Sequence, residues 1–399
     1  MADGTYDVVV AGGGLAGSAL GGVLARSGLG VLVVEKEGRF RDRIRGELTF
    51  PWGHSEALRA GLGEPLEQVG VVPLPVLDFY QDGRRTDSLC WETVSIDALP
   101  AVGFSHPRLQ EVVLTWSESQ GATVLRSAKV VGVHDGDSPT VSVVSDGRAV
   151  DIRARLVVGA DGKRSGARRW LGADTVTDPE HHWFGGLLVS GARWDDSIAW
   201  ATTPAGAVAW FTNGADSCRL YVRLTAEQVR AKGVGHDADA FLSFAATFMP
   251  EGTLEGAHAA GPVGFFPNSC TWSSRIALGH LVLVGDAAGA VDPTQGLGTS
   301  LLFRDVRALS ELLLADGDWV RATTEYERQR QAYYDVLRAY DRWCALLEAE
   351  VGPEADRRRE RNAAARETDP TLGGFATIEA RGPDGLVPDE TARRVYFGE

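Results

Sequence analysis

Residues 12–17 read Gly-Gly-Gly-Leu-Ala-Gly, a G-x-G-x-x-G that directly follows the apolar run 7–11 and opens a second apolar stretch. Strand, glycine turn and helix in that order make a phosphate-binding unit. Gly12 can take the tight turn, Gly14 lets the backbone approach a pyrophosphate, and Gly17 lets the helix pack on the sheet. The N–H groups of the helix start, at Leu15 and Ala16, then face phosphate charge. Glu35 ends the next apolar run, 31–35, with Lys36 beside it. An acid about 20 residues after the glycines is placed to accept hydrogen bonds from an adenosine ribose, and it disfavours a 2′-phosphate. A bound dinucleotide is expected.

Two later segments have the same strand-to-turn setting. Residues 159–168 read G-A-D-G-K-R-S-G-A-R, and residues 285–298 read G-D-A-A-G-A-V-D-P-T-Q-G-L-G and run into a helix at Thr299. Each carries a carboxylate at a strand end, Asp161 and Asp286. Together with the first motif, these segments resemble the para-hydroxybenzoate hydroxylase-like (group A) FAD-dependent monooxygenases, and the resemblance spans residues 7–310.

That resemblance implies FAD, with Asp286 on its ribityl and pyrophosphate region and the Pro293 loop near flavin C4a. It implies backbone N–H groups of Gly296, Leu297 and Gly298 at the flavin pyrimidine edge, where they stabilise negative charge on reduced flavin. Asp161 is placed near the cofactor and linked to nicotinamide nucleotide use. From the pair Arg43 and Arg45, one arginine reaches the pyrophosphate, and Arg108, at the start of the next helix, contacts the ribityl chain. The FAD is expected to be non-covalent, because no His or Cys stands in the three motifs. NAD(P)H is expected only as a transient reductant, because one G-x-G-x-x-G alone has strand-to-helix context. The implied activity is O2-dependent hydroxylation or epoxidation, through a flavin C4a-hydroperoxide, of a largely apolar, aromatic or polycyclic small molecule.

The chain departs from the ring-hydroxylase pattern at three positions. Gly289 and Asp292 stand where many members have His and a first Pro, and Ser300 replaces the usual Asn. The form G-D-A-A-G-x-x-D-P is similar to flavin-dependent halogenases and to geranylgeranyl reductase-like enzymes. The halogenase signature W-x-W-x-I-P and its tunnel lysine are absent. Two alternatives remain: an FAD-dependent reductase or dehydrogenase, and a cyclase or binding protein holding FAD for structure.

Short apolar runs at 7–11, 31–35, 156–159 and 281–285 suit a parallel sheet buried on both faces, and they are far apart in sequence. Residues 183–267 alternate instead and are rich in aromatics, as an antiparallel sheet would be. The expected fold is α/β. Residues 1–75, 100–180 and 270–320 form a discontinuous Rossmann-like FAD-binding domain, and 76–99 with 181–269 form an inserted, mainly antiparallel substrate-binding domain. Residues 321–399 form C-terminal helices and a tail wrapping the surface. Substrate-pocket candidates are Trp183, Trp210, Tyr221, Phe265 and Pro267, drawn from an aromatic set that also holds Trp194, Trp200, Phe211 and Phe266. Alternation points Trp210 and Phe211 to opposite faces. His181 and His182 are adjacent, so they are expected to point apart and to form pocket wall or strand edge rather than a metal pair.

The net charge of −14 argues against nucleic acid and anionic lipid as partners. Cys90, Cys218, Cys270 and Cys344 form no C-x-x-C, which reads as isolated thiols in a reducing cytoplasm. Residues 8–25 carry no charge, but their six glycines fit a strand and turn better than a signal peptide or membrane span. A cytoplasmic protein with no integral membrane association is expected.

Overall fold

The computed structural model describes residues 4–399 apart from 135, 137, 193, 194, 204 and 205, so Trp194 lies outside the described residues. All four apolar runs enter one sheet. Its centre is five parallel strands in the order Leu281–Leu283, Arg148–Gly159, Thr5–Ala11, Val31–Glu35 and Thr123–Arg126. Val8 lies opposite Leu156 on one side and Val31 on the other, and such strands must be apolar on both faces because helices cover both. The helix Leu15–Arg26 crosses from the first strand to the next and is buried along nearly its whole length. The long strand Arg148–Gly159 also pairs, through its first half, with the antiparallel strand Thr140–Ser145, which in turn pairs antiparallel with Ala128–His134.

A second sheet takes its strands from 76–90 and from 183–267. Strands His258–Ala259, Trp183–Ser190, Ser217–Leu224, Gly206–Gly214, Ser197–Thr203, Val76–Gln81 and Arg84–Cys90 follow one another across it, with Gly264–Pro267 also on Trp183–Ser190. Every pairing is antiparallel except Ser197–Thr203 with Val76–Gln81. One face packs on the helices Ala226–Lys232 and Ala238–Ala246, through Val229, Phe241 and Ala245. The other meets the C-terminal helices.

The helix Trp319–Glu348 starts two residues before the expected break at 321 and belongs to both cores: Trp319 and Tyr326 join the parallel-sheet core, Tyr333 to Leu347 the second. The end of the chain also differs from expectation. Instead of wrapping the surface, the helix Glu390–Phe397 buries Tyr396 and Phe397 against Trp343, with ring centroids 5.3 and 6.3 Å away. Aromatic rings buried at this density anchor a terminus that charge and glycine content alone suggest is loose. Cys218, Cys270 and Cys344 are buried free thiols, and Cys90 is exposed.

Candidate functional site

The ends of the parallel strands, the loop 36–48, the aromatic face of the second sheet and the C-terminal helices enclose one cavity of about 2370 Å³. Ordinary ligand pockets hold roughly 300–1,000 Å³. There is room for a dinucleotide and a second molecule.

At the glycine turn, Gly12 has φ +115° and a Cβ there would sit 2.4 Å from the carbonyl of Ala160. A Cβ on Gly17 would lie 1.9 Å from the carbonyl of Gly12, so only glycine lets the helix close on the turn. Gly17 therefore packs and does not line the cavity. Gly14, Leu15 and Ala16 do line it. The helix has no side-chain cap, so its first N–H groups are free for an anion. Glu35 is buried at the same end; its Oε2 accepts from the N–H of Gly13 and its Oε1 from that of Glu37, both at 2.8 Å. Each oxygen keeps acceptor capacity toward the cavity.

Lys36, Arg43 and Arg45 line the cavity. Arg43 is paired with Glu37 at 2.8 Å, whereas the guanidinium of Arg45 makes no hydrogen bond or ion pair among the described residues. The second sheet holds their loop: Tyr221 Oη donates to the carbonyl of Arg45 at 2.9 Å, and buried Arg219 bridges Glu47 at 2.6 Å and Asp42 at 2.9 Å. Arg108 does not reach the cavity. It is exposed and donates to the carbonyl of Gln68, while His106 and Gln110 of the same helix, His106–Ser119, line the cavity. Positions 106 and 110 share a face and 108 lies about 200° round from 106.

Asp161 lines the cavity mouth, but its Oδ2 accepts from the N–H groups of Gly166 and Ala167 at 2.6 and 3.2 Å, which fixes its own turn. Asp286 is different. It sits in the short 3-10 turn Gly285–Ala287 without capping it, and its carboxylate accepts no hydrogen bond among the described residues. Its loop is held from behind. Arg168 donates to the carbonyls of Asp286 and Ala287, Asp305 accepts from the N–H of Gly285 at 2.9 Å, and Arg330 donates to the carbonyl of Gly289 at 3.0 Å. Asp305 and Arg330 are buried and joined at 3.0 Å, with Tyr333 Oη donating to Asp305 at 2.6 Å. Burial pushes the Asp305 carboxyl up against the pull of Arg330. Sequence motifs named Arg168 without giving it a task, and Asp305 and Arg330 carried no motif signal.

Pro293, Gly296 and Gly298 line the cavity, and the uncapped helix Gly298–Ala315 begins there. Leu297 does not: its side chain is buried in the second core. Ser300, where the related pattern has Asn, is buried with its hydroxyl 3.0 Å from that of Thr49.

Tyr221 and Pro267 line the cavity, and Trp183, Trp210 and Phe265 do not. Those three belong to the far face, packed toward the helices over it; Phe265 meets Phe241 at 5.9 Å. The cavity face carries Ile198, Phe211, Phe184 and Tyr221, the last two stacked at 4.9 Å and 8°. Register explains the split, since Ile198 is opposite Phe211 while Ala199 is opposite Trp210. The rings of His181 and His182 do not point apart as expected. They precede the strand, so alternation does not govern them, and their Nδ1 atoms lie 3.2 Å apart.

Free helix N–H groups, a ribose-side acid, an unpaired arginine and an unpartnered carboxylate in one cavity form a donor and acceptor set that suits a flavin dinucleotide. The chain belongs to the family described as FAD binding domain, whose model matches residues 5–332, and FAD is its cofactor. It is 29% identical over 318 residues to digeranylgeranylglycerophospholipid reductase 1 of Methanococcoides burtonii, covering 74% of this chain and 71% of that one. It is 26% identical over 364 residues to rifampicin monooxygenase of Streptomyces venezuelae, covering 88% and 74%. The solved structure of Pseudomonas aeruginosa PqsL in complex with 2-aminobenzoylacetate shares the fold, with TM-score 0.75 and 23% identity over 86% of this chain and 96% of that one. The chain is thus an FAD-dependent oxidoreductase with the fold of the group A flavin monooxygenases. Among the described residues no helix is long and apolar enough to cross a membrane, and no cluster of metal-ligating side chains occurs.

Proposed function

We propose that this protein is an FAD-dependent monooxygenase that hydroxylates or epoxidises a flat, largely apolar small molecule, with NAD(P)H as a transient reductant and O2 as co-substrate. The observation that supports this most is the continuity of one cavity from the three motif loops to the aromatic face of the second sheet. In this reading residues 1–75, 100–180 and 270–320 bind FAD, and 76–99 with 181–269 bind the substrate.

Bound FAD supplies the redox chemistry and the activation of O2. The chain's own residues do the rest. Glu35 takes the adenosine ribose, and the N–H groups of Leu15 and Ala16 with Arg45 take the pyrophosphate. Asp286 accepts from the ribityl hydroxyls on a loop fixed by Arg168, Asp305 and Arg330. The start of the helix Gly298–Ala315 puts N–H groups and a positive dipole end at the flavin pyrimidine edge. Phe184, Phe211 and Tyr221 wall the substrate side and exclude water.

The reductase relative at 29% identity favours a second reading, an FAD-dependent reductase of an alkene. Turnover under 18O2 separates the two. A monooxygenase places one 18O atom in the product and stops without O2; a reductase gives an unlabelled product carrying two more hydrogens and works anaerobically.

A further inference from the structure

His181 Nε2 lies 2.8 Å from Oδ2 of Asp292, the residue before Pro293, and His181 Nδ1 lies 3.2 Å from His182 Nδ1. Asp292 is buried, and its Oδ1 accepts from the N–H of Thr294 at 2.8 Å and from Asn268 Nδ2 at 2.9 Å. Burial alone would raise its pKa, but the hydrogen bond from His181 and the Thr294 donors outweigh it and hold the carboxyl below its ordinary value, so it is ionised. At the other end, His182 lines the cavity and its Nε2 has no hydrogen-bond partner among the described residues. The row runs from the cavity to the partly exposed ring of His181.

With both rings neutral, the row has one consistent arrangement of protons. An ionised carboxylate only accepts, so His181 carries its proton on Nε2. Its Nδ1 must then accept, so His182 donates from Nδ1 and turns the lone pair of Nε2 to the cavity. We propose that His182, His181 and Asp292 form a proton relay, in which His182 Nε2 takes the proton of an acidic O–H or N–H on the bound molecule and Asp292 sets the direction of transfer. The proton bonds to His182 Nε2 as the Nδ1 proton of His182 moves to His181 Nδ1. The bound molecule is left as its anion, His182 stays neutral in its other tautomer, and His181 becomes an imidazolium beside ionised Asp292. The row resets when His181 loses its added Nδ1 proton to solvent and solvent exchange returns the His182 proton from Nε2 to Nδ1.

The surroundings suit a ring that passes a proton on without keeping the charge. Burial, then Arg223, then His181 push His182 down to about 4, against a smaller pull from Asp292. Arg223 is itself paired with Glu348 at 2.9 Å. Asp341, whose Oδ2 accepts from the N–H of Asp292 at 3.0 Å, is pushed well up by burial and by Asp292, so of the two carboxyls Asp292 gives up its proton the more readily.

The nature of the bound molecule rests on the monooxygenase reading, but the order of protons in the row can be read without turnover. In FAD-loaded protein labelled with 15N-histidine, two-bond 1H–15N spectra at neutral pH should show His181 protonated on Nε2 and His182 on Nδ1, with signals assigned through His181→Gln and His182→Gln. Asp292→Asn presents an amide donor to His181, so both tautomers should invert and His182 should carry its proton on Nε2. Should that variant fail to fold, His181→Asn breaks the row, and His182 should lose its single Nδ1–H form. A wild-type His182 protonated on Nε2, or an Nδ1–H form that survives either substitution, overturns the relay. Predicted tautomers in a protein that fails the 18O2 experiment would sink the proposed reaction alone.

Discussion

Arg168 donates from Nη2 to the main-chain carbonyl of Asp286 at 2.8 Å and from Nε to that of Ala287 at 2.9 Å, so the arginine of the second motif sets the loop of the third. Arg168→Met removes both charge-assisted bonds and frees the loop. FAD binding should weaken by about 1–3 kcal/mol, roughly five- to 150-fold in Kd. Fluorescence titration of the apoprotein with FAD measures it, and an unchanged Kd would show that the loop needs no clamp.

Asp305 and Arg330 are a buried pair. Asp305→Ala leaves an uncompensated cation in the core and should cost about 3–5 kcal/mol of stability. Asp305→Ala with Arg330→Met removes both charges and should recover part of that loss. Denaturant unfolding of the two variants reads the difference; equal destabilisation would mean that the backbone bonds of Gly285 and Gly289 matter more than the charge.

Glu35 holds two backbone N–H groups as well as facing the ribose side of the cavity. Glu35→Ala should therefore both loosen the turn and weaken FAD binding, the latter by about 1–3 kcal/mol. Isothermal titration with FAD and with FMN separates the effects. FMN lacks the adenosine, so its weaker binding should change much less.

The sequence carried the parallel sheet because strands covered on both faces must be continuous apolar runs, and it carried the glycine turn because no Cβ fits at Gly12 or Gly17. It could not set the phase of an element against its surroundings. Alternation separated Trp210 from Phe211, but only the helices over the far face decide that Phe211 meets the cavity. The same held on the helix His106–Ser119, where the period allows either Arg108 or Gln110 inward and packing chooses Gln110. The bond between Asp305 and Arg330 joins two helices, and a pair of common charged residues leaves no local pattern to read. His181 and His182 met because they lie just outside a strand.

Glu379 lines the cavity and donates nothing; it accepts from Tyr340 Oη at 3.0 Å, and burial pushes its carboxyl up to about 7. A carboxyl raised on folding holds its proton better in the folded state, so its contribution is fully present below about pH 4.5 and is lost as pH rises through about 7. The loss is at most about 3 kcal/mol, less where cavity water solvates the anion. Glu379→Gln should flatten that part of the stability curve and be more stable than wild type at pH 8. Urea unfolding from pH 4.5 to 8 checks it, and parallel curves for the two proteins would contradict it.

Asp286 tests the account most directly, because its carboxylate faces the cavity, caps no helix and has no hydrogen-bond partner among the described residues. A carboxylate placed near phosphates is tolerable when it accepts from ribityl hydroxyls, which offset its desolvation. The decisive measurement is the FAD-to-protein ratio of purified Asp286→Asn, read from the flavin and protein absorbance and followed by an FAD titration of the apoprotein. Asn keeps the shape and offers a donor where an acceptor is needed, so the variant should purify largely depleted of FAD, with its melting temperature restored in part by added cofactor. Full FAD occupancy with a wild-type Kd would contradict the assignment of this cavity as the flavin site.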